Sequence, residues 1–462
     1  MNNLSVAELA RPPINRDMKV LDRSFFQTKL QTSAITVFDP KDIQKVKSKL
    51  GASRDLLLAT TIKPVRDDDT TPGAKCIMLL PHVKANDPST WSEHWSNFVM
   101  NGAAKVRPFE LVLSYDDWSM SDILGAILPE LSEDEGQNPS GFAQVGHVAH
   151  LNLREQFLPY KYLIGQVLLD KNHGVKTVIN KLQDVGTESV FRTFPYEVLA
   201  GPDDLDVTVH HANCEFKFNF GEVYWNTRNG HEHERLVASF KEGQAVCDVM
   251  AGVGPFAVPA GKKQIWVRAN DLNPAGFRAM VAAIRANKVE PFVRAYNMDG
   301  REFIKSATQD LLTNRRTFQK KPKTVLSRKA TAEEKQRSAE YAASNTIELE
   351  EPKTFDHFIM NLPASAIEFL DAYKGLYRGQ ENLFVDRKLP MIHVYTFQAR
   401  DEDDNEEKEK VELLGRLSQY LGHDLDKERD EVTLHRARLV APKKLFYCAS
   451  FRLPAAIAFA AD

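Results

Sequence analysis

Between Ala245 and Leu453 the chain alternates short apolar runs with amphipathic stretches of helical period. "AVCDVM" reads as a buried strand, and a helix is expected from Pro255. "QIWVRAND" is followed by a helix through "PAGFRAMVAAIRANK", and "PFVRAYNM" by one through "GREFIKSA". "FDHFIMN" precedes "AIEFLDAY", and "PMIHVYTF" precedes "KVELLGRLSQYL". Two strands then follow with no helix between them, "EVTLHRARLVA" and "KLFYCASFRL". Strand–helix alternation predicts a doubly wound α/β fold with a mostly parallel sheet. The closing pair predicts one antiparallel strand, expected at the edge.

Upstream, the pattern is less regular. Residues 1–125 mix short strands and helices, with "CIMLLPHV" and "FELVLSY" as strands. "LSEDEGQNPSG" reads as a linker. Residues 140–230 read as a small α+β module with a helix through "EQFLPYKYLIGQVLLDK" and a strand at "FKFNFGEVYW". Residues 231–462 form the third region, with a basic insertion near 308–353. Leu312 to Ala343 holds nine Lys/Arg against three Glu, and Asp401 to Glu412 holds eight acids against two Lys. A solvated insertion and an acidic lead-in to a helix account for both.

Composition narrows the function classes. In 462 residues, 60 basic side chains face 63 acidic ones, for a net charge of −3. Any nucleic-acid binding must come from local patches. The four cysteines, Cys76, Cys214, Cys247 and Cys448, are scattered singly, which fits a reducing compartment and argues against a disulfide framework. His147 and His150 in "HVAH" fit a strand end better than a zinc site, and no metal is expected. No apolar run is long enough to cross a bilayer. Arg11 and Arg16 lie near Glu8 and Asp17, which makes a weak mitochondrial targeting signal.

The chemistry sits on the glycine turn after the first strand. Gly252 to Ala257 satisfies G-x-G-x-x-A, so a dinucleotide oxidoreductase is one reading. Pro255 speaks against it, because a pyrophosphate at a helix start wants N–H donors and Pro has none. Asp271 follows 19 residues after Gly252 and suits ribose hydroxyls. Asp248 and Asp299 end two further strands. Each Asp alone could be a helix cap; three at matched strand ends suit a cationic, adenosine-bearing ligand without phosphate. S-adenosylmethionine has that chemistry. Asn361, before Leu362 and Pro363, follows the fourth strand, where its amide could hold a nucleobase edge or cap a helix.

"DVMAGVGPFAVPAGKK", "NDLNP", "NMDGREF" and "NLPASAIEFLD" together resemble the tRNA guanine-37 N1-methyltransferases of archaea and eukaryotes. "FGEVYWNTR", "HEHERL", "VFRTFPYEVLAG" and, for the eukaryotic branch, "RPPINRDMKVLDRSFF" extend the resemblance over nearly the whole chain. It implies a class I, Rossmann-like methyltransferase sheet preceded by RNA-recognition modules. It implies methyl transfer from S-adenosylmethionine to N1 of the guanine beside the anticodon, on tRNA with G37. N1 carries a proton, so the reaction needs a base near N1 and a donor near O6.

By family match, Glu232 is the base, Arg192 stabilises charge near O6 and Asn361 holds the base edge. Spacing alone would make Glu232 a surface partner of Arg235 at i, i+3. His233, Asp248, Gly252, Gly254, Asp271, Leu272, Asp299, Gly300, Asn361 and Pro363 are the expected cofactor residues. Tyr224, Trp225 and Arg228 are candidates for RNA contact, with a core role open for the aromatics. Asn229-Gly230-His231 departs from the family pattern. The resemblance further implies a monomer shared among mitochondrial matrix, nucleus and cytoplasm. Two rivals share the fold: the aminocarboxypropyl transferase of wybutosine synthesis, and a non-catalytic RNA-binding protein.

Overall fold

The computed structural model describes residues 11–58, 62–130, 139, 141–182, 191, 193–322 and 331–461. Most of the expected linker, 131–141, lies outside them. The contacts divide the chain into two units, 1–182 with 196–204, and 183–195 with 205–462.

In the first unit, strands Thr28–Val37 (β1), Val65–Asp67 (β2), Lys75–Leu79 (β3) and Ala104–Leu113 (β4) form an antiparallel sheet in the order β2-β3-β1-β4. Helices Ile43–Ser53 (α1) and Glu93–Met100 (α2) bring Val46, Leu50 and Trp95 into a core with Ile35, Val37 and Ile77. A second sheet joins Ala143–Val145 (β5), Val148–Leu151 (β6), Thr177–Lys181 (β7) and Tyr196–Ala200 (β8). Helices Met120–Ile127 (α3) and Lys161–Lys171 (α4) share one apolar cluster with Trp118, Phe157 and Val178. That cluster runs from Met18 to Ala200, so the regions expected at 1–125 and 140–230 are not separate cores.

The second unit begins with the hairpin Asp206–His211 (β9) and Cys214–Asn219 (β10). Then come Gly230–Ser239 (α5), Ala245–Asp248 (β11), Ala257–Lys262 (α6), Trp266–Asn270 (β12), Pro274–Ala286 (α7), Val293–Tyr296 (β13) and Gly300–Thr313 (α8). The hairpin belongs here and not to the 140–230 region. Asn287, the C-cap of α7, donates to Glu215 O at 2.7 Å and accepts from Glu215 N at 3.0 Å, stitching β10 to that helix.

After Thr317–Lys320 (β14), Ala332–Ser344 (α9) and Ile347–Glu350 (β15) come His357–Met360 (β16), Met391–Ala399 (β17), Glu406–Leu421 (α10), Thr433–Ala441 (β18), Lys444–Arg452 (β19) and Ala455–Ala458 (α11). The main sheet has seven strands in the order β13-β12-β11-β16-β17-β19-β18. β11, β12, β13, β16 and β17 pair in parallel, and β19 is antiparallel to both neighbours. This is the Rossmann-like methyltransferase sheet. One detail differs from expectation: the antiparallel strand lies one place in from the edge, because β19 inserts between β17 and β18. Both faces of β11 are buried, which explains its unbroken apolar run.

Local chemistry sets the element ends. Asn273 caps α7 by accepting from Ala275 N at 2.9 Å, with Pro274 at the first helical position. α6 starts at Ala257, two residues later than expected, because Gly254 and Pro255 complete a turn first. "AIEFLDAY" is a 3₁₀ helix, not an α-helix. α10 starts at Glu406, inside the acidic run, where its acids face the helix N-terminus.

The basic insertion is a hairpin, β14 with β15, carrying the exposed helix α9; residues 323–330 of it lie outside the description. Its foot is clamped by Glu351, which accepts from Arg316 Nη2 at 2.7 Å and from the fully buried Arg268. All four cysteines are free and buried. Among the described residues no helix is long and apolar enough to cross a membrane, and no three His, Cys, Asp or Glu gather as a metal site.

Candidate active site

The turn after β11 holds Gly252 at φ 57° and Gly254 at φ 92°, a region open to glycine and strained for other residues. A Cβ added to Gly252 would meet nothing within 4 Å, so open space lies over this turn. Asp271 stands at its edge: Oδ2 accepts from Gly252 N at 2.7 Å and Oδ1 from Asn273 N at 2.9 Å. Gly276 leaves Asp271 its room, since a Cβ there would come within 3.1 Å of Oδ1. Burial raises the Asp271 carboxyl above the usual range, and the two N–H donors offset part of that. Next to it Leu272 is an exposed apolar side chain.

These residues fit an uncharged ribose and adenine. A carboxylate of the kind that accepts from ribose hydroxyls and an exposed apolar side chain are present, and Pro255 withholds the N–H a phosphate would want.

The other two strand-end carboxylates differ in depth: Asp248 is fully buried, and Asp299 is half-buried. Asp248 is fully buried and neither oxygen has a hydrogen-bond partner. Burial, helped by the charge of Asp271, pushes its carboxyl well above the usual range. Asp299 caps α8, its Oδ1 accepting from Arg301 N at 2.8 Å. Gly300 starts that helix beneath Phe369, whose ring a Cβ would touch at 3.0 Å.

The burial of Asp248 has a consequence for stability. Its folded-state pKa lies above the unfolded one. Its contribution is therefore complete below the ordinary carboxylate pKa of about 4 and is lost as pH rises. Asp248→Asn should raise the thermal midpoint relative to the parent by an amount that grows from pH 4 to pH 8. A difference independent of pH would contradict the assignment.

Glu232 lies on α5 and is buried, not a surface partner as its spacing suggested. Oε1 accepts from Arg235 Nη2 at 2.6 Å and from Tyr395 Oη at 3.0 Å. Oε2 accepts from Arg235 Nε at 2.8 Å and lies 3.3 Å from His435 Nε2. The i, i+3 pair therefore exists, but it orients a buried carboxylate. Glu232, Arg235 and His435 line a cleft of about 330 Å³ with Arg228, Asn229, Arg438 and Phe446.

Phe256 joins this carboxylate to the glycine turn. Its ring centroid lies 4.6 Å from that of His233 and 5.7 Å from that of Tyr395. Burial lowers the His233 pKa to about 3, so the ring is neutral and packs between Phe256 and His211. Asn361 is half-buried directly after β16, and the Pro363 carbonyl accepts from Phe397 N at 3.1 Å, which ties the turn to β17.

Arg192 lies outside the described residues. Close by, Phe194 packs against Phe220 with centroids 5.3 Å apart. Of the RNA candidates, Arg228 is exposed on the cleft and Tyr224 is half-buried. Trp225 is a core residue: Phe216 and Phe218 of β10 flank it at 5.6 and 5.3 Å. The unusual Asn229-Gly230-His231 starts α5, and Asn229 is buried beneath Arg438. Tyr395, His435 and Arg438 were missed by the sequence reading.

A protein of Aspergillus fumigatus called tRNA (guanine(37)-N(1))-methyltransferase is 48% identical over 475 residues, covering 99% of this chain and 97% of its own. The chain belongs to the tRNA (guanine(37)-N(1))-methyltransferase family. Residues 208–321 match the TRM5/TYW2 methyltransferase domain, and residues 120–204 match the TYW2 N-terminal domain. Two solved structures share the family's fold. Trm5b from Pyrococcus abyssi is 20% identical with a TM-score of 0.54, and aTrm5 in complex with tRNALeu is 16% identical with a TM-score of 0.56. Each comparison covers 91% of this chain and 99% of the other.

Proposed function

We infer that this chain methylates N1 of the guanine at position 37 of tRNA, with S-adenosylmethionine as the methyl donor. The observation that carries the reading is a buried carboxylate, Glu232, held by Arg235 and Tyr395 on a cleft wall joined by Phe256 to the glycine turn. It lies in a chain nearly half identical to a family member of that name. S-adenosylmethionine supplies a methyl group on a sulfonium, ready for displacement.

The protein must make N1 a nucleophile. Glu232 takes the N1 proton, and Arg235 and Tyr395 fix its two oxygens so that little reorganisation is needed. Charge then moves towards O6. Arg192, by family match, favours that movement, while Asn361 holds the base edge. Asp271 and Leu272 hold the donor's ribose and adenine, and the turn at Gly252 leaves room for it. The target base must leave its stack to enter the cleft. The family resemblance supports a monomer.

The test uses labelled S-adenosylmethionine and two unmodified tRNA transcripts that differ only in G or A at position 37. We expect 1-methylguanosine with G37 and no product with A37. The match to the TYW2 N-terminal domain keeps an aminocarboxypropyl transfer in view. A nucleoside heavier than 1-methylguanosine would establish that reaction instead.

A further inference from the structure

In β18, Arg436 pairs with Tyr447 and Arg438 with Phe446, so Ala437 is an extra residue without a partner across the ladder. In an unbroken strand, residues three apart point to opposite faces. The bulge cancels that rule and brings His435 and Arg438 to the same cleft.

Arg438 is half-buried there. Its Nε donates to Asn229 Oδ1 at 3.2 Å, and its guanidinium carbon lies 5.6 Å from the centre of the Phe446 ring. Glu232, the carboxylate that lines the same cleft, pairs with Arg235 and His435, and among the described residues no ion pair joins a carboxylate to Arg438 or Arg228. Arg235, Arg268, Arg316 and Arg436 all have carboxylate partners. Burial weakens Arg438's hold on its proton, and the charge of Arg228 adds to that. A partly desolvated guanidinium without a counter-charge is costly unless an anion arrives.

We propose that Arg438 and Arg228 form a subsite for one phosphodiester of the RNA beside the nucleotide being methylated. The proposal rests on the reaction assigned above. Two full cations suit a full negative charge better than the partial charge that develops on a base oxygen. Asn229 and Phe446 fix the guanidinium plane and leave its two terminal nitrogens for a bidentate phosphate contact.

The experiment compares Arg438→Gln, Arg438→Lys and the parent with an unmodified G37 transcript. It measures kcat, KM, transcript Kd across a salt series, S-adenosylmethionine affinity and thermal midpoint. For Arg438→Gln we expect KM and Kd about tenfold higher, a loss of about 1.4 kcal/mol. The salt slope should become shallower by about 0.7, as for one lost single-strand phosphate contact. Cofactor affinity and thermal midpoint should hold. Arg438→Lys should recover the salt slope and only part of the KM, because an ammonium is a point charge. A fall in kcat with unchanged KM and salt slope would overturn the proposal, as would no change at all. Failure of the parent to form 1-methylguanosine would instead remove the assigned reaction, and the salt series would still decide the subsite.

Discussion

Glu232→Gln is expected to lower single-turnover methylation of a G37 transcript by about 10² to 10⁴-fold, the usual range for a lost general base. Binding of S-adenosylmethionine should survive, because Tyr395 and Phe256 stand between Glu232 and the glycine turn. The amide keeps the size of the carboxylate but cannot take the N1 proton, and its NH₂ faces donors where an acceptor stood. Raising the pH should restore part of the lost rate, since hydroxide can then remove the proton. A fall of less than tenfold, or no gain at high pH, would mean that another group is the base.

The second large effect is on stability. Glu351→Ala removes the acid that Arg268 and Arg316 share. Arg268 is fully buried and would keep Asp310 as its acid, whose Oδ2 lies 2.7 Å from its Nε, and the Asn314 carbonyl. Breaking a buried ion pair from one side costs about 3 to 5 kcal/mol. We expect a urea midpoint lowered accordingly, and the lower end of that range because Asp310 stays. A loss under about 1 kcal/mol would show that water reaches the cluster and that the insertion is a free appendage.

Much of the second unit was legible because its signals are local. Short apolar runs separated by amphipathic stretches gave the strand–helix alternation, and the glycine turn marked the ligand end of β11. The surroundings of Glu232 were not legible. Tyr395 lies 163 residues away, and nothing in "PMIHVYTF" sets its hydroxyl apart from a core tyrosine. His435 and Arg438 are harder still: simple alternation puts them on opposite faces, and only the bulge reverses that. Trp225 misled because an aromatic beside an arginine looks like a stacking platform. The partners that bury it, Phe216 and Phe218, alternate on one face of a strand that the pattern did not assign to this unit. Asp248 was placed correctly at its strand end, but position along a strand says nothing about depth.

The four buried thiols offer a way to watch this molecule breathe. Cys76 lies in the first unit, and Cys214, Cys247 and Cys448 lie in the second. Burial raises every one of these thiols above its ordinary pKa, Cys448 to about 11, so little reactive thiolate is present near neutrality. A thiol reagent will modify each site only when its own surroundings open. The order in which the four peptides become labelled therefore ranks the local opening equilibria of the β1–β4 sheet, the β9–β10 hairpin and the seven-stranded sheet without any engineered probe.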